Sequence, residues 1–366
     1  MTRKLNRIVF PLAAFVALVA LACTCGGSTT PTPAPLPTAA PPTKAPVVLP
    51  TEPPATKPPI GSGGAPFTLA ADPYVHPGGA FSVSYPDGWE FDERSDGIFI
   101  NEPGGFSSMD MSFTNVGQPL DADSFNNYIQ AIEANWFGGF TDYSQESVEA
   151  QQDGSTLVLK TLKTSDSTPY TVFSYYWQTG NVIFEQDFWA TDDQYDAYVD
   201  GFVEIANSAQ TDDSAASGAP LYEFRYTFTC PDSLCTFSAP YGWTYNQNTS
   251  FDNTIADVFT APDGLAYVES VAYDDGTEIA RSVAGAFALG LLREFYAQDI
   301  SVTDDQVQSD GSERLDWFSP SGGYSGETFF ETRGTTFLML TFVANDQFWD
   351  LYQPVWSDLV GSYDVP

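Results

Sequence analysis

One stretch of this chain is written twice, and the repetition constrains its architecture more than any other feature. Phe81-Ser-Val-Ser-Tyr-Pro-Asp-Gly-Trp89 returns as Cys235-Thr-Phe-Ser-Ala-Pro-Tyr-Gly-Trp243, so Pro86, Gly88 and Trp89 fall on Pro240, Gly242 and Trp243. Further matches follow in the same order: Glu102-Pro-Gly-Gly105 with Ala261-Pro-Asp-Gly264, Thr179-Gly-Asn181 with Arg333-Gly-Thr335, and Asp193-Gln-Tyr195 with Asp346-Gln-Phe348. In this alignment Tyr198 and Phe202 fall on Leu351 and Val355. An ordered set at a nearly constant offset reads as a duplication. It predicts two domains, 67–211 and 222–366, with a linker over 212–221; the polar run Thr211-Asp-Asp-Ser-Ala-Ala-Ser-Gly218 joins them.

Each copy reads the same way. A strand (81–85 or 236–239) enters a Pro-x-Gly-Trp turn, where proline fixes one dihedral and glycine is free to take a positive one. Two short strands follow, at 97–101 and 109–114 or at 254–260 and 266–272. Phe125, Tyr128, Ile129, Ile132 and Trp136 then recur at helical spacing behind Asp121 and Asp123, which suit a helix N-terminus; Ala284, Phe287, Leu291, Leu292 and Phe295 make the second stripe. Three strands in a meander come next, at 156–161, 168–178 and 182–189 or at 313–318, 326–332 and 335–343. A last helix, 192–207 or 346–359, closes each copy. The expected class is α+β: two tandem copies of an antiparallel sheet packed by helices.

The opening strand into Tyr-Pro-x-Gly-Trp, the curved antiparallel sheet, the helix between early and late strands and the closing Asp-Gln-Tyr/Phe helix resemble PsbP-like domains. That family, an α/β/α sandwich, is named after the extrinsic photosystem II subunit. The resemblance covers both copies and implies a non-enzymatic binding role by docking. No residue here carries a photosynthetic function, and the long proline-rich segment departs from that subunit.

Ahead of the repeats stands an export signal. Arg3, Lys4 and Arg7 precede an apolar run, Ile8 to Ala22, shorter than the ~20 residues of a bilayer span. Residues 1–22 thus read as a signal peptide. Ala20-Leu21-Ala22-Cys23 resembles a lipobox, which implies lipidation at Cys23, although Leu stands one place later than the pattern prefers. Ala20-x-Ala22 also suits ordinary signal peptidase, which would release a secreted protein. Residues 23–66 hold Cys23 and a Pro/Thr/Ala-rich disordered tether, extended at ~3.1 Å per residue where regular. Lipidation is favoured because an anchored domain needs such a tether. The expected address is the outer face of the cell membrane, through an N-terminal lipid.

Composition sets exclusions. Thirteen Lys+Arg oppose 48 Asp+Glu, and five of the thirteen (Arg3, Lys4, Arg7, Lys44, Lys57) precede the repeats. Such a surface repels phosphate backbones, so nucleic acid is excluded as a partner; an envelope protein or wall component is expected instead. With His76 the single histidine, Ser-His-Asp and Cys-His nucleophile systems are excluded, and no phosphate loop or dinucleotide fingerprint occurs. No enzyme activity, catalytic residue, cofactor or metal site is expected.

Cys230 and Cys235 are expected to form a disulfide in an oxidising compartment, since zinc would need two further ligands. Trp89 and Trp243 read as core plugs rather than stacking platforms. The other six Trp, with Tyr175, Tyr176, Tyr195 and Tyr198, are the candidates for a glycan-binding face. The acid pairs Asp121/Asp123, Asp192/Asp193, Asp274/Asp275 and Asp304/Asp305 lack the Asp-x-Asp-x-Asp-Gly calcium pattern and read as caps and turns. Two functional readings result: a cell-surface lipoprotein presenting two domains as a binding or scaffolding module, or a solute or glycan receptor with its ligand between them. A third, an acid-pair hydrolase, would show two carboxyls roughly 5 to 10 Å apart in a cleft.

Overall fold

The computed structural model describes residues 66–249 and 251–365. Cys23, the leader and most of the tether lie outside the described residues. The first half runs β1 (Tyr74–Val75), β2 (Phe81–Val83), β3 (Glu90–Glu93), β4 (Gly97–Asn101), β5 (Ser107–Asn115), α1 (Ala122–Asn135), β6 (Thr141–Ala150), β7 (Thr156–Lys163), β8 (Pro169–Thr179), β9 (Val182–Thr191), α2 (Tyr195–Ser208), β10 (Gln210–Thr211) and α3 (Asp213–Ala216). The second runs β11 (Arg225–Thr229), β12 (Thr236–Pro240), β13 (Thr244–Asn248), β14 (Thr254–Thr260), β15 (Ala266–Asp274), α4 (Arg281–Phe295), β16 (Ser301–Val307), β17 (Glu313–Ser319), β18 (Tyr324–Arg333), β19 (Thr336–Asn345) and α5 (Trp349–Gly361).

Each half holds a seven-stranded antiparallel sheet, and the two have one strand order: β3-β4-β5-β9-β8-β7-β6 and β13-β14-β15-β19-β18-β17-β16. Registers coincide as well. Asp110 faces Asp187 and Ser174 faces Asp187 in the first sheet; Glu269 faces Thr341 and Thr328 faces Thr341 in the second. The class is α+β, with two such sheets packed by helices.

The layers stack in one direction. The β1-β2-β10 sheet and α2 cover one face of the first sheet, around Phe81, Phe188 and Phe202. Helix α1 covers the other face, and its core continues without a break into Tyr222, Trp243, Phe259, Tyr352 and Trp356 of the second half. Helix α4 closes the far side around Leu292, Trp317 and Phe337. Asp121 caps α1, its carboxylate accepting from Ser124 N at 2.8 Å.

Three expectations are corrected. The meander has four strands, not three, because β6 and β16 precede it. Both are edge strands, and β16 is exposed along its whole length. Solvated edges carry no apolar alternation, and their acids discourage pairing with other chains. The closing helices align one residue later than the sequence match implied. Ser208 and Ser362 occupy equivalent places, each receiving a backbone N–H from the strand beneath, so Tyr198 and Phe202 match the buried Tyr352 and Trp356. The polar run at 212–221 is no free spacer: Asp212 caps α3, and Ala216 is fully buried against the first half.

Candidate functional site

The joint between the halves is built from the first helix and the second Pro-x-Gly-Trp turn. Asn135 at the end of α1 donates through Nδ2 to the carbonyls of Tyr241 (2.8 Å) and Trp243 (2.7 Å). Asn127 donates to Pro262 O and Gln118 to Asp263. The Tyr128 ring packs against Gly242 so closely that a Cβ there would overlap it. Trp136 meets Phe224 and Tyr241 edge-on at 5.9 and 5.4 Å. This glycine permits close approach, a need distinct from the positive φ of +79° at Gly88.

Behind the joint, in the first half, lies a buried ionic network that sequence reading did not single out. Lys160 Nζ, with no solvent exposure, reaches Glu133 Oε1 at 2.5 Å and Ser174 Oγ at 2.7 Å, and stands 3.1 Å above the Phe137 ring centre. Glu133 also accepts from Tyr176 OH (3.0 Å) and Tyr143 OH (2.8 Å). Ser174 Oγ donates to Asp187, which faces Asp110 across the sheet, and Asp110 accepts from Arg94 Nη2 at 2.7 Å. Arg94 lies over Phe99 at 4.4 Å and near Phe224 of the second half at 6.0 Å.

Burial dominates the electrostatics here. Loss of water pushes Asp110 up to about 8 despite Arg94, with Asp187 adding to the rise. Asp187 is pushed up to about 6 by burial, against the pull of Lys160. Glu185 is raised well above the carboxylate range by burial and then by Asp187 and Asp110. Its Oε1 is enclosed without a hydrogen-bond partner and lines a pocket of about 10 Å³ with Arg94, Asp110, Asp187, Trp136 and Phe224. That space suits at most a single water. The site can hold protons between carboxylates; it has no room for a glycosyl unit.

The second half builds the same layer with neutral groups in place of Lys160, Ser174 and Asp187, and keeps one buried acid, Glu269, at the register position of Asp110, where it accepts from Tyr296 OH. By register Trp317 stands where Lys160 does, Thr328 where Ser174 does and Thr341 where Asp187 does. Trp317 Nε1 donates to Thr328 Oγ1 at 2.9 Å, and Thr328 and Thr341 share a 3.1 Å bond. Gly326, across from Trp317, leaves space for the indole. Replacing a buried ionic group by well-packed neutral ones is often neutral or stabilising. The fold therefore does not require the charges of Lys160 and Asp187 that the first half keeps. A signal was present in the sequence: Glu185 and Asp187 interrupt a strand whose other residues are apolar or aromatic, apart from Gln186 and the terminal Thr191.

The residues singled out from sequence are dispersed. Cys230 and Cys235 form the disulfide, bracketing the turn between β11 and β12. Trp89 and Trp243 are buried plugs. Of the other tryptophans, Trp189, Trp317 and Trp356 are buried, as are Tyr175, Tyr176 and Tyr198, so no aromatic platform forms from them. His76 is buried on Phe81 and accepts from Gly78 N. Asp274 accepts from Gly276 N and from the hydroxyls of Thr335 and Thr336, as a turn residue does, whereas Asp304 and Asp305, expected in a turn, lie within edge strand β16, whose solvated edge tolerates them. Among the described residues no group of three His, Cys, Asp or Glu is placed to hold a metal ion, and no helix is long and apolar enough to cross a membrane.

No family model and no curated protein matches the chain. Solved structures do. The PsbP of the cyanobacterium Synechocystis sp. PCC 6803 is 14% identical over 42% of this chain and 99% of its own, with a TM-score of 0.33. A protein from Bacteroides thetaiotaomicron VPI-5482 is 14% identical over 44% of this chain and 54% of its own, with a TM-score of 0.27. The type VI secretion immunity protein TplEi of Pseudomonas aeruginosa, solved with an "L" peptide, is 14% identical over 76% and 98%, with a TM-score of 0.21. Likenesses of this degree carry no functional argument, and the fold stands on the strand orders above.

Proposed function

We propose that this chain is an exported lipoprotein, anchored at Cys23, that holds two PsbP-like domains outside the membrane as a rigid, non-enzymatic docking platform. The observation that carries the reading is the filled joint. Asn135, Asn127, Tyr128 and Trp136 occupy the space in which a receptor would place its ligand. A receptor that closes on a solute between two domains needs a cleft of a few hundred Å³ there. The pocket at the joint is about 10 Å³. The acidic balance, with 48 Asp+Glu against 13 Lys+Arg, directs such a platform toward basic or neutral protein surfaces.

The test has two arms. In a bacterial host that processes lipoproteins, an alkyne fatty acid should label the protein and leave it in the membrane fraction, whereas Cys23→Ala should be unlabelled and released. A thermal-shift screen with calcium, manganese, zinc and neutral cell-wall glycans should leave the melting temperature unchanged. Unlabelled, released wild type would remove the anchor. A concentration-dependent shift with one of these solutes, abolished by a joint variant such as Asn135→Ala, would replace the platform by a receptor.

A further inference from the structure

The two halves differ at one position in a way that opens a cleft. In the first sheet Trp177 faces Phe184 across β8 and β9, its ring stacked on Phe184 at 5.6 Å and 17° and next to Tyr175 at 5.9 Å. The same register in the second sheet places Glu331 opposite Leu338. Phe329 takes the place of Tyr175. With no indole there, a cleft of about 380 Å³ stands over Phe329, Leu338 and Leu340, walled by Val360 and Tyr363 at the end of α5. Its rim carries three carboxylates, Asp310, Glu331 and Asp364, and one cation, Arg333, which is paired with Glu331 at 3.0 Å. Gln308 Nε2 is enclosed at its edge without a hydrogen-bond partner.

We infer that this cleft in the second half is an anchor pocket for an aromatic side chain of a basic peptide segment on a protein partner. The first half shows what fills the position when the chain supplies it: an indole stacked over the β8–β9 pair. Phe329, Leu338 and Leu340 give the cleft an apolar floor on which an aromatic ring packs, and aromatic anchors in such pockets supply much of the binding energy of protein interfaces. Three rim acids against one arginine select a cationic surround. The inference deepens the docking-platform reading by naming where a partner docks and by what chemistry.

The probe is the peptide acetyl-Lys-Trp-Lys-amide, titrated calorimetrically into the intact chain, with acetyl-Lys-Ala-Lys-amide and acetyl-Glu-Trp-Glu-amide as comparators. The tryptophan peptide flanked by lysines should bind about tenfold more tightly than either comparator, and more weakly as salt is raised. Glu331→Trp, which refills the cleft as the first half does, should abolish binding while raising the melting temperature. Asp310→Asn with Asp364→Asn should keep the cavity and erase the preference for lysine over glutamate. A photoreactive tryptophan in the probe locates the site whatever the variants do: cross-links at Phe329, Tyr363 or Val365 support the pocket. Equal affinity for all three peptides, undiminished binding to folded Glu331→Trp, or cross-links confined to the first half would overturn it. Lipidation and membrane retention through Cys23 are read separately, so failure here leaves the platform reading to its own test.

Discussion

Lys160 Nζ and Glu133 Oε1 lie 2.5 Å apart with the lysine side chain wholly buried, tying the first sheet to the helix that forms the joint. Glu133 takes two tyrosine hydroxyls as well, so removal of Lys160 strands a buried carboxylate rather than merely deleting a contact. Lys160→Met should lose about 3 to 5 kcal/mol of stability. Adding Glu133→Gln should restore most of it. Urea denaturation of both single variants and the pair measures the coupling directly; additive losses would show that the two groups act independently.

The raised acids set a pH dependence whose sign is definite. Asp187, raised to about 6, and Asp110, raised to about 8, keep protons in the folded state that the unfolded chain releases from its ordinary value of 3.8. Folding therefore binds protons, and stability falls as pH rises from about 4 to about 8, levelling above. The exposed caps and turns act oppositely: Asp121, held low chiefly by the Ser124 N–H, and Asp274, held low by the Gly276 N–H, contribute stability that is lost as pH drops below the carboxylate range. The melting temperature should peak in mildly acidic solution, at roughly pH 5, and Asp110→Asn should flatten its decline toward pH 8.

At the joint, a Cβ on Gly242 would press into the Tyr128 ring. Gly242→Ala should cost about 1 to 3 kcal/mol through overpacking. Gly88, its counterpart in the first half, has nothing within 4 Å of such a Cβ but sits at φ +79°, so Gly88→Ala should cost only about 1 kcal/mol, through its dihedral. Chemical denaturation separates the two, and Tyr128→Phe offers no relief because the clash is with the ring, not the hydroxyl.

The Cys230–Cys235 disulfide closes a short loop of sequence separation five. Loop-closure entropy for so short a ring predicts a contribution of about 2 kcal/mol. Denaturation of Cys230→Ser/Cys235→Ser against wild type, with reductant as a second route to the same state, should give equal losses.

Much of this was legible in the sequence. Pro86, Gly88 and Trp89 with their counterparts marked the repeat, and the alternation of Tyr170 to Trp177 marked a strand in the sheet. The edge strands were not legible, because Thr141 to Ala150 and Ser301 to Val307 face solvent and carry no periodic apolar signal. The ionic network was hidden for a different reason. Lys160 reads as an ordinary surface lysine until Ser174, two strands of register and Glu133 from a helix converge on it. The joint was hidden likewise: Asn127 and Asn135 look like solvent-facing helix residues, and only the second turn gives their amides acceptors.

Through that joint the two halves form one body, and differential scanning calorimetry of the intact chain tests this most directly. A single transition with calorimetric and van't Hoff enthalpies equal is expected, splitting or broadening in Asn135→Ala/Gly242→Val. Two separate transitions in wild type, both unmoved by those substitutions, would contradict it.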